Sequence, residues 1–272
     1  MKKMYQLRQI PSEAQIKKLL RKIVFGRNIY CPHCNSIQVT HNQERFWCRS
    51  CRGRFSLLSH TWLSNLKLPL QQFWLVLWCW TSQVPVRQTA LLTNLSSVTI
   101  YHWFEVFRSK LPEEQEVLGK LVQLDEAYFG GRGKETARAL FLGKQVGSRK
   151  LAYRIVKKSF PVREDAWDFL RDYVAPETQL NTDGAKIYRG IEKWWPVTHR
   201  YDIHRKFEFD DTSEIEGMFG VLRTFMRRMY HHVSSDKLPG VVSEFCFRFS
   251  HPEIFESPYQ YLLITLHLAT TD

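Results

Sequence analysis

Three acidic residues stand where carboxylates could act together: Asp125 in KLVQLDEAYFGG, Asp183 in QLNTDGAKIY and Glu216 in TSEIEGMFGVLR. The first two interrupt or end apolar, strand-like runs, and the third opens a helical pattern. Carboxylate oxygens are hard ligands and suit hard dications such as Mg2+ or Mn2+. Two such ions about 4 Å apart activate a water or hydroxyl and stabilise a leaving oxygen, which is what phosphodiester cleavage requires. Asp125, Asp183 and Glu216 are therefore the candidate catalytic and metal-ligating set, with two dications as the expected cofactor. Each acid alone also has an ordinary reading: a strand-end surface acid, an Asp-Gly turn, a helix N-terminal acid. Their joint order favours the site.

Periodicity decides which side chains can meet there. On a strand over KLVQLDEAY, Gln123, Asp125 and Ala127 share one face, while Val122, Leu124 and Tyr128 share the other. Glu126 is expected to point away from the site. Gly184 lets the chain turn directly after Asp183. Along a helix over residues 212–230, Glu216, Gly220, Arg223 and Arg227 fall on one face. Arg223 could thus hold a phosphate beside the metals, and Arg227 and Arg228 extend a basic stripe. Glu214 is the rival third acid on another face of that helix, and Asp210 and Asp211 are close by.

A second ligand set is sulfur. CPHC (31–34) and CRSC (48–51) are two CxxC pairs, and four thiolates satisfy tetrahedral zinc. Cys31, Cys34, Cys48 and Cys51 are the expected ligands of a structural zinc. SIQVTHNQERFW between the pairs alternates like a hairpin and RGRFSLL can add a strand, which makes a zinc ribbon. His33 and His41 are expected as exposed loop residues, and Cys79 and Cys246 as core thiols.

The elements that position these groups follow in chain order. Residues 12–24 form a helix capped by Ser12 with Gln15 closing a capping box. Residues 69–83 form an apolar helix. Val86–Leu92, a turn at Asn94–Ser96 and a recognition helix at Ser97–Ser109 form a helix-turn-helix. Ser97, Thr99, Tyr101 and His102 could face DNA, while Trp103, Val106 and Phe107 face the core. LPEEQEVLGK (111–120) reads as a linker. Then come three strands in meander, a helix at 163–174, a strand at TQLNTDGA, a helix at AKIYRGIEKW, a strand at VTHRYDIHR, the 212–230 helix and two closing helices. This is the element order of an α/β, ribonuclease-H-like mixed sheet with helices on both faces. The expected organisation is 1–60 (N-terminal helix and zinc ribbon), 61–116 (helix-turn-helix), 117–250 (catalytic domain) and 251–272 (a C-terminal helix on the core).

The 272 residues are 44% hydrophobic, enough for a real core. The formal net charge of +12 favours an anionic partner, nucleic acid first. The longest apolar run, Phe73–Trp80, is far short of a membrane span. MKKMYQLRQIPSEAQ carries charge with no apolar stretch behind it, so no secretory signal is expected. A cytoplasmic protein with reduced cysteines is the expectation.

SEAQIKKLL ahead of CPHC and CRSC, the helix-turn-helix, DEAYFGG, NTDGAKIY, SEIEGMFGVLR, MYHHVS and EFCFRFS together resemble the zinc-ribbon DDE transposases of small bacterial insertion sequences, a group related to Merlin elements. The resemblance runs from about Pro11 to Leu266. It implies a ribonuclease-H-like catalytic domain using magnesium or manganese, with Asp125, Asp183 and Glu216 as its triad. It also implies binding of terminal inverted repeats, their cleavage, and joining to target DNA by a homodimer or larger synaptic assembly in the nucleoid. Arg223 falls where the family usually has lysine, Ser213 where many relatives have asparagine, and Ser250 replaces another asparagine. A DNA groove would draw on Arg132, Lys134, Lys157, Lys158, Arg223 and Arg227. Two other functions use the same features: a DNA-binding regulator or domesticated remnant, and a nuclease or resolvase without strand transfer.

Overall fold

The computed structural model describes residues 10–42, 45–130, 136–158, 160–202 and 212–268. The chain divides into two units, residues 1–104 with 253–272 and residues 105–252.

The first unit opens with helix α1 (Glu13–Phe25), held at its start by a reciprocal cap. Gln15 N–H donates to Ser12 Oγ at 3.3 Å and Ser12 N–H donates to Gln15 Oε1 at 2.8 Å. Its apolar face buries Ile16, Leu20, Val24 and Phe25. A three-stranded antiparallel sheet follows: β1 (Val39–Asn42), β2 (Arg45–Cys48) and β3 (Arg54–Ser56), in that order. Phe25 sits about equally far from the rings of Phe46 and Phe55, 6.1 Å from each, and so seals the end of α1 onto this sheet. Helix α2 (Leu70–Thr81) buries Phe73, Trp74, Leu77 and Trp80. Helix α3 (Val86–Thr93) ends at Asn94, which takes the left-handed conformation at φ 54°. Helix α4 (Ser97–Ser109) then begins, with Ser96 Oγ accepting from Thr99 N–H at 3.1 Å. The expected helix, turn and helix are all present.

The second unit is built on a five-stranded mixed sheet. Its strands are β4 (Leu121–Phe129), β5 (Arg138–Gln145), β6 (Leu151–Val156), β7 (Thr178–Asp183) and β8 (Val197–Asp202). The order is β6-β5-β4-β7-β8. β4, β5 and β6 pair antiparallel, and β7 and β8 add in parallel beside β4. An antiparallel meander extended by parallel crossover strands is a ribonuclease-H-like fold. Helix α5 (Arg163–Tyr173) covers one face, where Val122, Leu124, Phe141, Phe169, Leu170 and Leu180 form a dry core. Gly143 makes that approach possible, since a Cβ there would lie 2.8 Å from the Phe169 ring. On the other face, helix α6 (Ser213–Tyr230) is tied to β4 by Ile215 N–H donating to Gln123 Oε1 at 2.9 Å. Helix α7 (Leu238–Ser250) packs against β6 and α6, and α8 (Pro258–Thr265) belongs to the first unit, where Tyr261 meets Trp80.

Fully buried Glu244 closes the far end of α6. It accepts hydrogen bonds from Arg108 Nε (3.2 Å), Tyr230 Oη (2.5 Å) and Arg248 Nε (2.9 Å). A buried charge without such partners would cost several kcal/mol, on the order of 3–5.

Two local expectations are corrected. The stretch AKIYRGIEKW is two 3-10 turns, Lys186–Tyr188 and Ile191–Lys193, because Gly190 adopts φ 73° between them and breaks any longer helix. Residues 111–120 are more than a linker: Leu118 is fully buried and bridges Val174. Gln115 Oε1 also accepts from Tyr153 N–H at 2.7 Å. Among the described residues, no helix is long and apolar enough to cross a membrane.

Candidate metal centres and active site

The last paired residues of the parallel strands β4 and β7 are Leu124 and Thr182. The next residue on each strand is Asp125 and Asp183. The sheet topology thus sets the two aspartates side by side where the β4–β7 pairing stops, at the carboxyl end of β7, the end at which open α/β sheets hold their ligands. One carboxylate oxygen from each of Asp125, Glu126 and Asp183 lies within 4.8 Å of the other two. Oxygens around one six-coordinate Mg2+ are about 2.9–4.2 Å apart, so the all-oxygen donor set fits a hard dication.

Glu126 was expected to point away, and the structure corrects this. Its backbone does belong to the Val122–Leu124 face, but its longer side chain brings the carboxylate back beside Asp183. Tyr188 Oη donates to Glu126 Oε2 at 2.5 Å, and Tyr128 Oη donates to Oε1 at 3.3 Å. Asp125 Oδ1 accepts from Glu126 N–H at 2.7 Å, and Asp183 Oδ1 from Ala185 N–H at 3.0 Å. Burial pushes Asp125 up to about 6; the Asp183 and Glu216 charges add to this and Arg223 opposes it. Burial likewise pushes Glu126 up to about 7, against the Tyr188 hydrogen bond and together with the two aspartates. The site is thus short of positive charge.

The sulfur site differs in kind. Cys31, Cys34, Cys48 and Cys51 bring their sulfurs within 4.8 Å of one another with no disulfide. Cys31 Sγ is 3.5 Å from Cys51 Sγ, and Cys34 Sγ is 3.6 Å from Cys48 Sγ. The edge of a tetrahedral zinc–thiolate site is about 3.8 Å, so the four fit zinc closely. The two CxxC pairs are built alike. Cys31 N–H donates to Ser36 O at 2.9 Å and Cys48 N–H to Gly53 O at 3.0 Å. The residue after each second cysteine, Asn35 or Arg52, takes φ 57° or 59°. The Cys51 backbone N–H pulls the Cys48 thiol down to about 6, which favours the thiolate form.

Residues 117–250 match the ISXO2-like transposase domain family. The chain carries an ISXO2-like transposase domain. Among solved structures, it is similar to a chain in the cryo-electron microscopy structure of the simian T-cell lymphotropic virus intasome in complex with the PP2A regulatory subunit B56 gamma. That likeness has 13% identity over 64% of this chain and 67% of that chain, with a TM-score of 0.37. No curated protein matches.

Within the transposase domain the third sequence-predicted acid stands apart. Glu216 is exposed in the first turn of α6 and lies outside the three-carboxylate cluster, although its charge reaches Asp125. Its rival Glu214 is engaged elsewhere, 2.5 Å from the buried Lys144 ammonium on β5. Arg223 is exposed, with its guanidinium 6.0 Å from the Phe219 ring and its charge felt at Asp125. Arg227 and Arg228 are exposed further along α6. Lys157 is exposed, whereas Lys158 is held by Asp165 at 3.0 Å. Arg132, Lys134, Asp210 and Asp211 lie outside the described residues.

On α4, Ser97, Tyr101 and His102 are exposed, and Thr99 is half-buried with its hydroxyl 2.8 Å from Ser96 Oγ. Val98 and Leu91 are also exposed, 79% and 83%, so the helix-turn-helix presents apolar as well as polar groups. His33 and His41 are exposed, and Cys79 and Cys246 are buried, as expected. Glu126 is the site residue that periodicity missed. The one sequence signal for it is its place between Asp125 and the YFGG stretch.

Proposed function

We propose that this chain is a transposase that binds the terminal inverted repeats of an insertion sequence, cleaves them with divalent metal and joins the ends to target DNA. The observation that carries this reading is the meeting of Asp125 and Asp183 where the parallel strands β4 and β7 stop pairing, inside a transposase domain.

In this reading Asp125, Asp183 and Glu216 hold two Mg2+ or Mn2+ ions, Glu216 approaching from α6. Such ions, bound there, would supply activation of the attacking water or hydroxyl and stabilisation of the leaving oxygen. Arg223 grips a phosphate next to the scissile bond as a planar fork, where a lysine would offer a point charge. Arg227 and Arg228 carry the phosphate track onward along α6, and Arg132 and Lys134 add basic charge to it. Ser97, Thr99, Tyr101 and His102 read the repeat from α4, with phosphate contacts fixing the register and base contacts the specificity. Cys31, Cys34, Cys48 and Cys51 hold one zinc that keeps the ribbon folded. Residues 1–60 and 61–116 act as the end-binding regions and 117–250 as the catalytic domain, with 251–272 closing the fold. Two ends must be joined, so the working form is a homodimer or larger assembly, at the bacterial nucleoid in the cytoplasm.

The test uses the purified chain, Mg2+ and a duplex carrying the repeats that flank its gene. Cleavage at the repeat ends followed by joining to a second duplex is the expected result. Cleavage without joining identifies a nuclease or resolvase. Binding without cleavage identifies a regulator or remnant.

A further inference from the structure

Glu126 and Tyr188 belong to two of the motifs that mark this chain, DEAYFGG and NTDGAKIY, yet the proposed chemistry uses neither. Tyr188 is fully buried, and its only polar atom beyond the backbone is spent on Glu126 Oε2 at 2.5 Å. It sits in the 3-10 turn directly after the Asp183 turn, among Val122, Leu124, Phe169, Leu180 and Ile191. A tyrosine fixed in that core has one place to put its hydroxyl. Tyr128 Oη holds the other carboxylate oxygen at 3.3 Å. The result is a carboxylate fixed through both its oxygens, beside Asp125 and Asp183. Glutamate has three side-chain torsions, and ordering it costs conformational entropy unless something already holds it.

We propose that Glu126 is a further carboxylate of the cation site and that Tyr188 is its positioning residue. Tyr188 orders Glu126 before the ion arrives and ties β4 to the segment after the Asp183 turn, so it also fixes the gap between the two aspartates. This rests on the reading of Asp125 and Asp183 as metal ligands. It adds a ligand that comes from the sheet itself, whereas Glu216 comes from a helix.

The test is Mn2+ binding to the full-length, DNA-free protein, read by titration calorimetry and by the electron paramagnetic resonance signal of free Mn2+. Metal-free thermal unfolding monitors the fold of each variant. Glu126→Gln is expected to weaken Mn2+ binding about tenfold or more, and Tyr188→Phe about threefold. Glu214→Gln should bind as the parent does. Wild-type binding by Glu126→Gln, with binding lost in Asp125→Asn, overturns the role of Glu126 and leaves the aspartate site standing. Wild-type binding by Asp125→Asn and Asp183→Asn as well overturns the aspartate site itself. Should Glu126→Gln fail to fold, Glu126→Asp takes its place: its shorter reach predicts weakened binding, and undiminished binding overturns the proposal. Wild-type binding by Tyr188→Phe, with Glu126→Gln weakened, overturns the positioning role alone.

Discussion

The two candidate metal centres are opposites in construction. The ribbon's four thiolates come from two short, near-identical turns, each closed by its own backbone hydrogen bonds. Their sulfurs already stand close to the spacing of a zinc tetrahedron, which closes the shell. The acid site draws on two strands that meet only in the folded sheet, and its carboxylates repel one another at an open edge. A closed soft-ligand shell builds structure, whereas an open hard-ligand cluster keeps room for a substrate oxygen. Removing a ligand should therefore have opposite effects on stability at the two places.

The largest effect is expected at the ribbon. Structural zinc of this kind contributes on the order of 10–16 kcal/mol to folding. Cys48→Ser should lose its zinc and unfold residues 28–58, as read by metal content and limited proteolysis. Asp125→Asn should keep the zinc. Retention of zinc and protease resistance in Cys48→Ser would remove the contrast.

At the acid site the sign reverses. Asp125 and Glu126 are raised to about 6 and about 7 in the folded state, above the usual carboxylate range. The folded protein then binds more protons than the unfolded chain between about pH 4 and 7, so metal-free stability falls as pH rises through that window. Asp125→Asn removes part of this penalty and keeps the oxygen that accepts from Glu126 N–H. It should raise metal-free stability at pH 8 by about 1–3 kcal/mol and flatten the pH dependence, as measured by urea unfolding from pH 5 to pH 8. A destabilised Asp125→Asn would mean that the carboxylate is structural.

A smaller effect marks the boundary of the cluster. Glu214 is itself half-exposed, so Glu214→Gln weakens one ion pair to the buried Lys144 ammonium and should cost about 1 kcal/mol, with cleavage within about twofold of the parent. Glu216→Gln should lower cleavage strongly while leaving stability unchanged within about 0.5 kcal/mol, because its side chain is exposed. Equal losses of cleavage in the two variants would reopen the choice of third acid. The smallest effect is a control in neither ligand set. Ser12→Ala removes the α1 cap and should cost about 1 kcal/mol without changing cleavage, as read by thermal unfolding and the same cleavage assay.

The same contrast explains what could be read from the chain. The ribbon was legible because its ligands recur at local spacing and its hairpin alternates along a few residues. The helix-turn-helix was legible from Asn94 and Ser96, whose turn and capping chemistry is local. The mixed sheet followed from element order, and the meeting of Asp125 and Asp183 from their places on β4 and β7. Glu126 was misread because a period-two rule assigns faces to backbones, whereas a long side chain just past the point where β7 stops pairing with β4 can reach the neighbouring carboxylates. The helix expected over AKIYRGIEKW failed at Gly190, whose positive φ leaves no mark in the hydrophobic pattern. Leu118 was hidden because LPEEQEVLGK is mostly polar and gives no sustained apolar pattern.

The central claim is that the paired aspartates hold the ions that cut DNA. Single-turnover cleavage of a repeat-end duplex in Mn2+ tests it most directly, comparing the parent with Asp125→Asn at equal DNA occupancy. A fall of roughly a thousandfold or more, with DNA binding unchanged, is the predicted result. Cleavage by Asp125→Asn at a rate near that of the parent would contradict the account.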